Sequence, residues 1–127
     1  MGTGEIYSAV ESLPEVMDSM VLDLEYLGRP SRLLLFVSLR EERPLDGNVK
    51  GRIHQAIRSR VSPRFLPDEI ILAPAIPRTL SGKERQEIPM KKLFLGDPAE
   101  QVINRETMAN SHCVDWYIEQ ARARVDL

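Results

Sequence analysis

Lys83 ends the stretch Pro77-Arg78-Thr79-Leu80-Ser81-Gly82-Lys83, where the sequence concentrates residue types able to do chemistry. Pro77 fixes φ at one end and Gly82 permits a tight turn at the other. Thr79 and Leu80 can run extended between them, and Lys83 stands just past the turn on a long stem. A still backbone beneath one mobile ammonium suits a lysine that meets an anion, either a carboxylate or a phosphate. Two other readings compete. A phosphate-cradling P-loop needs a glycine five positions before Gly82 and Ser or Thr after the lysine. Those positions hold Pro77 and Glu84, so the P-loop is excluded. The bland reading, a solvated lysine after a β-turn, needs nothing further, because most lysines lie at the surface.

A second cationic group lies earlier in the chain. The spacing predicts a helix over about 47–61 with Val49, Ile53, Ala56, Ile57 and Val61 on its buried face. The other faces carry Lys50, Arg52, His54, Arg58 and Arg60, with Arg64 just beyond. By residue type this is a solvated helix face or a place for an anion. A module binding polyanions through Arg52 to Arg64 would do so with steep salt dependence. A general nucleic-acid binder is disfavoured by the net charge of -2 and by the lack of a basic, aromatic-rich sheet. His54 reads as a surface imidazole without a role. Cys113 is the single cysteine, with only the adjacent His112 near it, and reads as structural.

The elements that position these groups follow from pattern. The chain has 127 residues, 43% hydrophobic and 28% charged, which is one ordinary domain with a core and a solvated surface. No apolar run approaches the roughly 20 residues that span a bilayer. No cationic, apolar leader opens the sequence, and the lone cysteine fits a reducing compartment, so the expectation is a cytoplasmic protein without membrane partners. A helix over 2–13, capped by Thr3, turns Ile6, Ala9, Val10 and Leu13 inward and stops at Pro14. Strands over 16–25 and 32–40 follow, joined through Gly28-Arg29-Pro30 as an antiparallel hairpin. The first has a wetter face; the second, Leu33 to Val37, is apolar on both faces and is expected to be central. Asp46 is placed to cap the 47–61 helix, and Glu69 to Leu72 is a third strand leading into the lysine turn. Pro89 opens a short helix over 89–95, stopped by Gly96. Asp97-Pro98-Ala99-Glu100 starts another in the manner of a capping box, and Ser111 caps a last helix from which Trp116 packs on the domain.

Ile76 to Lys83 resembles the last core motif, Pro-x-Thr-x-Ser-Gly-Lys, of the acyl-adenylate-forming enzymes: acyl-CoA synthetases, adenylation domains of peptide synthetases and luciferases. Met1-Gly2-Thr3-Gly4-Glu5-Ile6-Tyr7 is similar to the segment just after that family's interdomain hinge, whose arginine and hinge residue would precede Met1, as if the chain were cut there. Glu87-Ile88-Pro89-Met90-Lys91-Lys92, Gly96, Val102-Ile103-Asn104-Arg105 and Met108-Ala109-Asn110 resemble the acetoacetyl-CoA synthetase branch. The likeness runs over residues 1–118. Position 84 departs from it, being acidic where relatives often carry Lys or an apolar residue.

The resemblance implies an α+β fold, a small, mostly antiparallel sheet with helices packed on it. Residues 1–96 would form the C-terminal domain of an AMP-binding enzyme, and 97–127 a helical extension packing on it. Such a domain is the mobile part of an ATP-dependent, AMP-forming acid–thiol ligase. Lys83 would be the catalytic lysine of adenylate formation. Arg58, or Arg60 if the register slips, would hold the 3′-phosphate of coenzyme A. ATP, magnesium and the acyl pocket would belong to a large N-terminal domain absent from the sequence, so the chain alone is expected to be inactive. The substrate would be a small carboxylic acid, acetoacetate. A lysine acetyltransferase and deacetylase acting on Lys83 would regulate it. An exposed apolar docking patch is expected near the lysine turn and the first helix. Against this stands a non-catalytic interaction or anion-binding module derived from the same domain.

Overall fold

A computed structural model describes residues 4–26 and 29–125. The expected cap Thr3 and the connection at Gly28 fall outside the described residues. The helices are α1 (Gly4–Glu11), α2 (Gly47–Arg60), α3 (Glu87–Phe94), α4 (Ala99–Val102) and α5 (Val114–Val125). The strands are β1 (Val16–Tyr26), β2 (Arg29–Leu39) and β3 (Glu69–Leu72).

The strands form one sheet in the order β1-β2-β3, so the strand that is apolar on both faces is indeed the central one. β1 and β2 are antiparallel over almost their whole length, while β3 pairs parallel to β2 from Leu34↔Glu69 to Val37↔Leu72. The sheet is therefore mixed, with the antiparallel ladder the longer. The reason is the connection: α2 supplies a crossover between β2 and β3, and a helical crossover returns the chain in the same direction.

Alternation along the strands divides the core in two. Met20, Leu22, Leu24, Leu34 and Phe36 face α3 and α5, where Met90, Leu93, Phe94, Val114 and Tyr117 meet them. Val21, Leu35 and Val37 face the opposite way, onto Ile6, Tyr7 and Val10 of α1 and Val49, Ile53 and Ile57 of α2. A register shift between Val16 and Asp18 lets Val16 join the α1 side although its number is even. Asp23 and Glu25 are exposed, as the wetter face of β1 requires.

Asp46 caps α2 as expected, its carboxylate accepting from the Val49 amide at 2.9 Å. His54 is half-buried on α2. α3 starts two residues before Pro89, which occupies the third helical position; that amide has no intrahelical partner in any case, so proline costs nothing there. Asp97 does not cap α4, whose flanking residue is Pro98, without a side-chain cap. Ser111 begins a single 3-10 turn, Ser111–Cys113, which runs directly into α5. Cys113 is buried, and Trp116 packs edge-on against Phe36 and Tyr117 at 6.0 and 4.7 Å between ring centres.

Candidate functional site at the lysine hairpin

Residues 77–86 form a small hairpin. The Thr79 amide donates to the Glu84 carbonyl at 2.9 Å and the Gln86 amide to the Pro77 carbonyl at 2.8 Å, with Arg78 facing Arg85 across the pair. The turn closes where the Gly82 amide donates to the Thr79 carbonyl at 2.8 Å. Gly82 has φ +76, a left-handed conformation that side chains disfavour, which explains glycine at this point. Pro77 is buried, while Leu80, Ser81, Gly82, Lys83 and Glu84 are exposed. The turn thus has a fixed root and an exposed tip, and Lys83 stands at the tip. Among the described residues nothing pairs with its ammonium. Glu84, the acidic neighbour, is exposed as well and makes no ion pair with it.

Flanking arginines pin the root. Arg78 donates to both Asp18 oxygens, Nε at 2.8 Å and a terminal nitrogen at 2.5 Å. Its amide donates to Asn110 Oδ1 at 3.1 Å, and its carbonyl accepts from the Ala109 amide. The bond to Asp18 is the main cause holding the Arg78 guanidinium's pKa above its ordinary value. Arg85 reaches the other way. Its Nε donates to the Ser19 carbonyl at 2.6 Å, a terminal nitrogen reaches Glu11 at 2.5 Å, and its carbon centre lies 3.6 Å above the Tyr7 ring. Tyr7 donates its hydroxyl proton to Glu87 and accepts from the Val21 amide at 2.8 Å. Burial, and then the bond to Glu87, push the Tyr7 phenol well above its ordinary value.

Sequence reasoning did not find this frame. Arg78 and Arg85 meet partners 60 and 74 positions away, and nothing local in the sequence signals such pairs.

Arg58 and Arg60 lie in the last turn of α2, both exposed and, among the described residues, unpaired. Arg52 is engaged: it pairs at 2.7 Å with Glu15, whose side chain is 1% exposed. Lys83 and Arg58 therefore sit on different elements, the hairpin and α2. Leu80 and Ile88, 66% and 70% exposed, put apolar surface beside the hairpin. The patch does not extend to α1 as expected. Its large side chains Ile6, Tyr7 and Val10 are buried against the sheet and α2. Among the described residues, no group of His, Cys, Asp or Glu could hold a metal ion, and no helix is long and apolar enough to cross a membrane.

No protein-family model matches the chain. Individual proteins do. The acetoacetyl-coenzyme A synthetase of Rhizobium meliloti (strain 1021) is 34% identical over 117 residues, 92% of this chain and 17% of that protein. The acetoacetyl-CoA synthetase of Gallus gallus is 31% identical over 91% of this chain. Among solved structures, the acetoacetyl-CoA synthetase of Streptomyces lividans superposes with a TM-score of 0.88 at 41% identity, over 98% of this chain and 18% of that one. A Brucella canis acyl-CoA synthetase shares the fold alone, at TM-score 0.59 and 21% identity over 68% of this chain. By sequence and fold the chain belongs with the acyl-CoA synthetases. Within that class, it is the acetoacetyl-CoA synthetases that it resembles over nearly its whole length. It spans about a sixth of these relatives, 17% of the curated ones named here.

Proposed function

We propose that the chain is the mobile C-terminal domain of an ATP-dependent, AMP-forming acyl-CoA synthetase acting on acetoacetate. The observation that carries this reading is Lys83: an unpaired ammonium on the exposed tip of a hairpin whose root is pinned on both sides. Likeness to acetoacetyl-CoA synthetases along 92% of the chain supports it over a free-standing binding module.

The reaction would have two halves. A carboxylate oxygen attacks the α-phosphorus of ATP, the bond to the bridging oxygen breaks, and pyrophosphate leaves. Lys83 would lie against the carboxylate and α-phosphate oxygens and offset the charge that grows on them in the transition state. Coenzyme A thiolate then displaces AMP from the acyl carbon, with Arg58, or Arg60, pairing with the 3′-phosphate. The two cations sit on separate elements, which suits a domain that turns between the halves. ATP, magnesium and acetoacetate would be held by a large N-terminal domain, and the 127-residue chain by itself should make no adenylate. We infer that residues 1–96 form the C-terminal domain of an AMP-binding enzyme and 97–127 a helical extension packing on it, and that the enzyme works in the cytoplasm. Acetylation would remove the Lys83 charge and silence the first half, giving an acetyltransferase and a deacetylase a means of control.

The test is Lys83→Ala in the full-length enzyme. Exchange of labelled pyrophosphate into ATP should fall on the order of 10²–10³-fold. Thioester formation from supplied acetoacetyl-adenylate should survive, because by then Lys83 has turned away. Equal slowing of both halves, or of neither, would leave Lys83 an ordinary surface lysine.

A further inference from the structure

We propose that Arg85 is a positioning residue for Lys83, locking the hairpin to α1 so that helix and hairpin turn as one body. The proposal rests on the adenylation reading above. It comes from the way Arg85, two residues past Lys83, engages partners on both β1 and α1 at once, with Asp18 of β1 3.8 Å away as well. Nε donates to the Ser19 carbonyl on β1 at 2.6 Å. A terminal nitrogen pairs with Glu11 of α1 at 2.5 Å, and the same Glu11 oxygen accepts from the Ser19 hydroxyl at 2.5 Å. The flat face lies 3.6 Å over the Tyr7 ring, also of α1. Tyr7 in turn holds Glu87, just beyond the hairpin, and the Val21 amide on β1. The Arg85 side chain is only 18% exposed.

This arrangement asks for arginine in particular. Only a planar, forked cation can donate in two directions and stack on a ring at once; a lysine would keep the charge and lose the rest. Lys83 itself has no partner among the described residues. The aim of its ammonium therefore depends on the backbone beneath it, and Arg85 fixes that backbone against α1 and β1. A misplacement of about 1 Å at a reacting group can cost on the order of 10²-fold in rate.

The experiment is a double-mutant cycle in the full-length enzyme, read separately in the two half-reactions. Arg85→Ala should lower kcat for pyrophosphate exchange by about 10–10²-fold, with the KM for ATP little changed and thioester formation from supplied adenylate spared. Arg85→Lys should recover only part of the loss. Arg85→Ala combined with Lys83→Ala should be no slower than Lys83→Ala alone, since a residue acting through Lys83 has nothing left to position. If Arg85→Ala does not fold, Arg85→Lys and Glu11→Gln complete the same cycle. Losses that multiply in the double variant, or an Arg85 variant that slows both halves alike, would overturn the positioning role while leaving Lys83 in place. An unaffected Lys83→Ala enzyme would instead overturn the adenylation reading, and this proposal with it.

Discussion

Asp18 and Arg78 are 60 residues apart in the chain and meet in a two-point ion pair, 2.8 and 2.5 Å long, with both side chains about four-fifths buried. The pair joins the start of β1 to the root of the lysine hairpin, and through the Arg78 backbone to Asn110 and Ala109. Asp18→Ala leaves a largely buried guanidinium without its acceptor. The cost should be about 1–3 kcal/mol, read as a lower urea midpoint with an unchanged slope. Asp18→Asn keeps one acceptor and should lose less. A midpoint unchanged in both variants would mean that water replaces the pair without loss.

Phe36 is the centre of the core on the α3 and α5 side. It is fully buried, and the rings of Phe94, Tyr117 and Trp116 surround it at 5.4, 5.3 and 6.0 Å. Three elements far apart in sequence meet at this one side chain, so the cavity left by Phe36→Ala cannot close by the movement of one of them. The expected loss is about 3–5 kcal/mol in chemical denaturation. A loss below about 1 kcal/mol would mean that the last 31 residues, which supply Tyr117 and Trp116, pack only loosely on the sheet.

What the sequence disclosed, and what it did not, follows the range of the interactions concerned. The central place of β2 was legible because a strand apolar on both faces has nowhere else to go. The Asp46 cap and the left-handed Gly82 were legible because each is settled within a few residues. The parallel pairing of β3 was not, since its direction depends on how α2 crosses over, which no local pattern encodes. Capping at Asp97 looked sound in sequence and is absent, because the chain begins α4 only at Ala99, after Pro98. The tight turn before Lys83 could be read from Pro77 and Gly82. The Tyr7, Glu11 and Arg85 frame beneath it could not, being a contact of side chains brought together only by the finished sheet.

Alkaline pH should weaken the fold through three buried acids. Burial is the main cause pushing the Tyr7, Tyr117 and Cys113 protons to higher pH. A group that holds its proton more tightly when folded contributes stability that is complete below its ordinary value and is lost as pH rises beyond it. Those ordinary values are 9.0 for the thiol and 10.0 for the phenols. Stability should therefore be flat with respect to these groups at neutral pH and fall above about pH 9. Phenolate absorbance from Tyr7 and Tyr117 should appear together with loss of the far-ultraviolet helix signal. Phenolate absorbance from all three tyrosines at their ordinary value, in a chain still folded, would contradict the burial of these two.

Arg58 and Arg60 compete for one role, and the helix separates them. Two residues apart on an α-helix, they point about 160° from one another, so a single phosphate can meet only one directly. Both gain a little from standing at the C-terminal end of α2, where the helix dipole favours cations, and that alone would explain two arginines there. The difference lies in the second half-reaction. Arg58→Ala in the full-length enzyme should raise the apparent KM for coenzyme A by about 10–10²-fold, the equivalent of one charge-assisted hydrogen bond of ~1.5–3 kcal/mol. Pyrophosphate exchange should be unchanged. Dephospho-coenzyme A, which lacks the 3′-phosphate, supplies the control. It should already be poor with the unaltered enzyme and should become no worse with Arg58→Ala. If Arg60→Ala shows this pattern and Arg58→Ala does not, the phosphate belongs to Arg60. If neither does, the last turn of α2 is a solvated helix end and the coenzyme is held elsewhere.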